Sequence, residues 1–216
     1  MLSKQFFFTL FFILIIVPFT SAQEKEYEFE SAYVKKITTT SGSNIEVVTT
    51  EEIYISDYGR KSVSYKNEKR KIKSVNKTEE SNSVEIINGE WIINYNPDTK
   101  EGTKRKNLSA KFKEISDKEA EQIEKGMKEA LNTDTKESGQ EIVAGKKCKV
   151  VSTTSEIAGI KTKVKKWVYK NFIMKSESES LGNKVKEEVT VFKEGEKTDE
   201  NKFNVPKDLK LKMVRY

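Results

Sequence analysis

Apolar and polar residues alternate along most of this chain, and the alternation predicts strands. Residues 27–38 are rich in Tyr, Phe, Val, Ile and Thr. Ser41-Gly42-Ser43-Asn44 is a turn signal, and 45–56 resumes the alternation through Ile45, Val47, Ile53 and Ile55. Asp57-Tyr58-Gly59 turns the chain into 60–65, where Val63 and Tyr65 stand at period two. Segments 83–87 and 91–95 flank Asn88-Gly89-Glu90. Asn-Gly between apolar runs marks a hairpin, because both residues tolerate positive φ. A polar strand follows the Asn96-Pro97-Asp98 turn and runs to Arg105. In the last third, strands are expected over 141–143, 147–154, 161–169, 173–180 and 184–193, with Gly145, Gly159, Gly182 and Gly195 between or after them.

One stretch carries the helical period instead. Ser116-Asp117-Lys118-Glu119 fits a capping box, and Ala120, Ile123, Met127, Ala130 and Leu131 form an apolar stripe. The spacing predicts a helix over 116–131. The expected class is therefore α+β: a strongly curved antiparallel sheet of about ten strands, an incomplete β-barrel, with one main helix packed on its concave face.

Residues 1–22 break the pattern. Lys4 is their only charge, 6–19 is an apolar run interrupted by Thr9 and Pro18, and Thr20-Ser21-Ala22 ends in small residues. That order describes a signal peptide cut before Gln23. The run is shorter than the ~20 residues of a spanning helix. Residues 23–216 then form a single exported domain. The signal takes Phe6, Phe7, Phe8, Phe11, Phe12 and Phe19 with it, out of 11 Phe in all, so the remainder is more polar than the totals suggest.

Composition removes function classes. The 216 residues hold 40 Lys+Arg, 34 Asp+Glu, one Cys and no His, for a net charge of +6. Without His there is no Ser-His-Asp triad, no Cys-His dyad and no His-ligated metal. A lone Cys148 closes no internal disulfide and reads as a small buried hydrophobe beginning a strand. The pairs Glu51-Glu52, Glu79-Glu80 and Glu187-Glu188 are adjacent in strands, so each pair points to opposite faces and forms no acid/base dyad. No catalytic residue, metal site or cofactor is expected.

The order of features resembles a known family. After the signal and first strands comes Gly89-Glu90-Trp91-Ile92-Ile93-Asn94-Tyr95-Asn96-Pro97-Asp98-Thr99-Lys100, then the helical segment. Ile142-Val143-Ala144-Gly145-Lys146-Lys147-Cys148-Lys149-Val150 follows, then Trp167-Val168-Tyr169, and the chain closes with Phe203-Asn204-Val205-Pro206. Over most of 27–214 this is similar to the outer-membrane lipoprotein-sorting (LolA-like) superfamily and its periplasmic relatives. The resemblance implies a half-barrel closed by helices, an apolar interior that shelters acyl chains, and a non-catalytic carrier in the Gram-negative periplasm. The family's carriers place an Arg-Pro pair after the strand equivalent to 52–55. Here those positions are Ser56-Asp57, and the nearest Arg is Arg60.

Two sets of residues stand out as candidate sites. Trp91, Ile93 and Tyr95 share one strand face, and Trp167 and Tyr169 share another. With Ile123 and Met127 of the helix they either line a ligand cavity or pack as plain core. Between residues 60 and 77 lie eight basic side chains and one acid, including Arg60, Lys69, Arg70, Lys71 and Lys73. These either contact an anionic membrane or acidic envelope partner, or form a solvated hairpin guarding a sheet edge. The stretch lacks the interleaved aromatics of a single-strand platform, so no nucleic-acid partner is expected. The sequence thus points to an exported binder of lipids or other apolar ligands, or else to a structural or protein-interaction module of the envelope with a filled core.

Overall fold

The computed structural model describes residues 25–107, 134–157 and 160–214. Twelve strands build one sheet. In the first half these are β1 (Ala32–Ser41), β2 (Ile45–Ser56), β3 (Lys61–Ile72), β4 (Lys77–Asn88), β5 (Trp91–Tyr95) and β6 (Glu101–Lys106). The second half adds β7 (Asp134–Val143), β8 (Lys146–Ile157), β9 (Ile160–Tyr169), β10 (Phe172–Ser180), β11 (Asn183–Glu194) and β12 (Lys210–Met213). The spatial order is β12-β6-β5-β4-β3-β2-β1-β11-β10-β9-β8-β7. Two meanders are joined where β1 pairs β11, so the first and nearly the last strands form the middle of the sheet.

The α+β expectation is corrected. The described residues form strands and three short 3₁₀ turns, at Asp57–Gly59, Lys73–Val75 and Glu200–Phe203, with no α-helix among them. The helix expected over 116–131 lies outside the described residues, as do the signal residues 1–22. Twelve strands replace ten, and the sheet is not wholly antiparallel, because β12 pairs parallel with β6. A strand that short is invisible as a pattern and is held by non-local bonds: the Lys210 N–H donates to the Lys100 carbonyl at 2.9 Å and the Val214 N–H to that of Lys104 at 2.9 Å. Among the described residues no helix is long and apolar enough to cross a membrane.

Apolar side chains gather on both faces. Ile55 faces Ala32 across the β1–β2 ladder, while its neighbour Tyr54 faces Val63 across β2–β3. Neighbours in a strand point to opposite sides, so the clusters containing Ile55 and Val63 lie on opposite faces. The first cluster includes Phe29, Ala32, Val34, Ile55, Cys148, Val150, Trp167, Met174 and Phe192. It is capped by the segment before β1, where the Phe29 ring stacks on Tyr27 at 5.1 Å and meets Phe192 edge-on at 5.4 Å. Gly59 makes this capping possible. Its φ is +94°, and a Cβ there would stand 2.8 Å from the Tyr27 ring. The second cluster holds Val63, Val84, Ile86, Ile93 and Tyr95 beneath Phe203, with Val205, Leu209 and Leu211 packed against it. The segment before β1 thus covers one face and the segment after β11 the other.

Candidate functional site

The register aligns three rows of side chains on the Val63 face, crossing β1, β2, β3 and β4. The first row is Tyr33, Tyr54, Val63 and Ile86; the next is Lys35, Glu52, Tyr65 and Val84; the third is Ile37, Thr50, Asn67 and Asn82. The C-terminal segment covers part of the first row through Phe203. Beyond it the second and third rows, with Pro97 and Thr190, line a groove of about 480 Å³, Val84 forming part of its floor as a buried core residue. That size falls in the ~300–1,000 Å³ range of small-molecule sites. Lys36, Glu51, Lys66 and Ser83 also border it. Each neighbours a row residue in its strand, so its side chain belongs to the opposite face of the sheet.

Ile37 and Tyr65 are each 39% exposed in the middle of interior strands, and both line the groove. The exposed Val75 and Leu181, by contrast, sit in turns. Polar groups rim the apolar surface. Lys35 pairs with Glu52 at 2.8 Å. The Asn67 amide donates to Glu80 at 2.8 Å and to Asn82 at 2.9 Å, and the Asn82 amide donates to Asp98 at 3.4 Å.

Three tyrosines step diagonally along the groove's lower margin. The Tyr33 and Tyr54 rings are 5.0 Å apart, and Tyr54 and Tyr65 meet edge-on at 6.3 Å. The Lys202 ammonium stands 4.0 Å from the Tyr54 ring centroid and 5.8 Å from that of Tyr65.

The opposite face of the same strands carries a buried ion network. Glu51 accepts from Lys36 at 2.9 Å and Lys66 at 3.3 Å, and from the Ser64 hydroxyl. Lys36 also reaches Glu187 at 3.4 Å. Burial alone would raise the Glu51 carboxyl, but Lys36, Lys66 and Ser64 outweigh it and hold the group below its ordinary range. Burial likewise opposes the Lys36 charge, and Glu187 and Glu51 outweigh it, raising the ammonium. Glu52 serves Lys35 on the other face, so the adjacent carboxylates are divided between faces as their strand alternation dictates.

The residues singled out from sequence fall in different places. Ile93 and Tyr95 are buried in the second cluster. Trp91 is half-buried, with the Lys104 ammonium 4.1 Å from its ring. Trp167 is buried in the first cluster, and its indole N–H donates to Glu141 at 2.8 Å. Tyr169 packs against that cluster, and its hydroxyl donates to Glu194 at 2.8 Å. These two aromatic groups therefore do not meet in one cavity. Ile123 and Met127 lie outside the described residues.

The basic stretch is likewise divided. Arg60 precedes β3 and bonds Asp57 at 2.6 Å, a twelve-residue strand away from Lys73. At the far end Lys69 pairs with Glu80 at 3.8 Å and Arg70 with Glu68 at 3.2 Å. Lys71 stands across from Glu46, and Lys73 donates to the Gly42 carbonyl at 3.3 Å. The groove residues Ile37 and Tyr65, and Lys202 beside them, were not singled out from the sequence. Period two placed Tyr65 on the face of Val63, but its level beside Ile37 depends on two ladders that no local pattern sets.

Solved structures similar to this chain are so only at low identity and low TM-score. MucB, in complex with MucA(peri), is 12% identical with a TM-score of 0.42 over 79% of this chain and 52% of that one, so the chain spans about half the MucB length. LprF from Mycobacterium bovis is 8% identical with a TM-score of 0.37, covering 81% of this chain and 89% of that one. A DUF1329 family protein from Desulfovibrio piger is 12% identical with a TM-score of 0.32, covering 82% and 90%. No family model and no curated protein matches the chain. None of these likenesses makes it a member of their families.

Proposed function

We propose that this is an exported, non-catalytic binding protein that holds an apolar chain in the groove between the β1 and β4 rows. The observation that carries the reading is the pair Ile37 and Tyr65, left half-open in interior strands and facing one concavity of about 480 Å³. Folding removes such side chains from water wherever it can, at ~25 cal/mol per Å² of apolar surface. An occupant covering both would gain that term without breaking a ladder bond. The polar rim of Lys35, Glu52, Asn67 and Asn82 would fix its orientation. The reading of residues 1–22 as an export signal supports work outside the cytoplasm, in the periplasm or beyond it.

The other reading is an interaction module with a filled core. It is favoured by the burial of Ile93, Tyr95 and Trp167, residues that an interior cavity would have left open. Native mass spectrometry of protein purified from its host separates the two. A retained acyl-chain ligand supports the binder. A ligand-free chain that also fails to take up a fluorescent fatty acid supports the module.

A further inference from the structure

Lys202 stands beside the groove rather than in its lining, over the Tyr54 and Tyr65 rings. Several lysines of the sheet pair with carboxylates, as in Lys35–Glu52, Lys36–Glu51, Lys69–Glu80 and Lys170–Glu194. Lys202 is half-buried, and among the described residues no carboxylate lies within ion-pair distance of it. Its neighbours are the Tyr54 and Tyr65 rings, which favour a cation but accept none of its three N–H donors in line. Lys193 adds a second ammonium, 5.7 Å from the Tyr33 ring at the other end of the tyrosine series. Tyr65 belongs both to this lysine-bearing margin and to the groove wall. An ammonium with no carboxylate partner among the described residues, one side chain from a groove that exposes Ile37 and Tyr65, complements a molecule with an anionic end and an apolar body.

We infer that the groove takes a free fatty acid, its carboxylate on Lys202 and its chain running past Tyr65 toward Ile37. This rests on the reading of the groove as a binding site and adds to it the chemistry of the ligand's head. A carboxylate there receives charge-assisted hydrogen bonds that an alcohol of the same length does not. The head therefore determines affinity as well as orientation.

The test is displacement of cis-parinaric acid from the intact chain by myristic acid and by myristyl alcohol. Wild type, Lys202→Met and Lys202→Arg are compared, with circular dichroism confirming the fold of each. Wild type is expected to prefer the acid by roughly tenfold. Lys202→Met loses that preference while keeping its affinity for the alcohol, and Lys202→Arg retains it. Equal binding of acid and alcohol by wild type overturns the inference and leaves the groove reading standing. An undiminished preference in Lys202→Met also overturns it. Tighter binding of lysophosphatidylglycerol than of myristic acid replaces the carboxylate by a phosphodiester and overturns the assignment. If neither acid nor alcohol binds, the groove reading falls and the inference with it.

Discussion

The Glu51 carboxylate and the Lys36 ammonium meet at 2.9 Å between neighbouring central strands, with only 9% and 17% of their side chains exposed. Removing one partner of such a pair leaves the other charge buried. Glu187 and the partial exposure of Lys66 soften the loss here. Glu51→Gln is expected to cost about 2 kcal/mol in urea unfolding. The double variant Lys36→Met/Glu51→Leu should recover most of it in a double-mutant cycle. The pH dependence has a definite sign. The folded-state pKa of Glu51 is lowered, so its stabilising contribution is present above the unfolded value of ~4.3 and is lost as pH falls through the folded value. Wild type should therefore show a steeper acid limb of stability than Glu51→Gln.

Phe203 is 2% exposed over Val63, Ile93 and Tyr95 and fastens the C-terminal segment to the sheet. Phe203→Ala is expected to destabilise by about 3–5 kcal/mol. Hydrogen exchange should then speed up first at the Lys210 and Val214 amides, whose bonds to Lys100 and Lys104 hold β12 in place.

Cys148 is fully buried beside Val150 and Trp167, and burial pushes its thiol above the ordinary value. A thiol so placed is neither exposed nor ionised at neutral pH. The native protein should react with Ellman's reagent only at the rate of opening, and at full speed in denaturant. Fast native reaction would contradict the placement.

Leu181 and Gly182 make the two-residue turn between β10 and β11 with φ of +49° and +76°. Leucine is ill-suited to that backbone, and its side chain is 69% exposed, so it contributes little packing. Leu181→Asn supplies the Asn-Gly pair that such turns favour. It should raise stability by about 0.5–1 kcal/mol, read as a higher urea midpoint at constant slope.

Where a pattern and a turn coincide, the elements were legible. The bounds of β2 and β5 match the alternation of Ile53/Ile55 and the run beginning at Trp91, and Gly89 adopts the positive φ that Asn-Gly implied. Where order comes from partners, they were not. Residues 66–71 and 77–82 are polar on both sides and fold as strands through cross-strand pairs such as Asn67–Asn82 and Lys69–Glu80. Aromatic residues at period two were visible, but whether they face a core or a cavity was not. Ile93 and Tyr95 became core because Phe203, more than a hundred residues away, lies over them. Tyr65, one row further, was left open. The basic stretch showed its charge, while the acids that neutralise it, Glu68 and Glu80, lie on β3 itself and on the strand opposite.

Fluorescence titration of the purified protein with cis-parinaric acid, beside the folded double variant Ile37→Glu/Tyr65→Glu, tests the groove most directly. Saturable binding to one site per chain, lost in the double variant while its circular dichroism is unchanged, is the predicted result. No uptake by wild type, or equal uptake by the double variant, would contradict a ligand site between Ile37 and Tyr65.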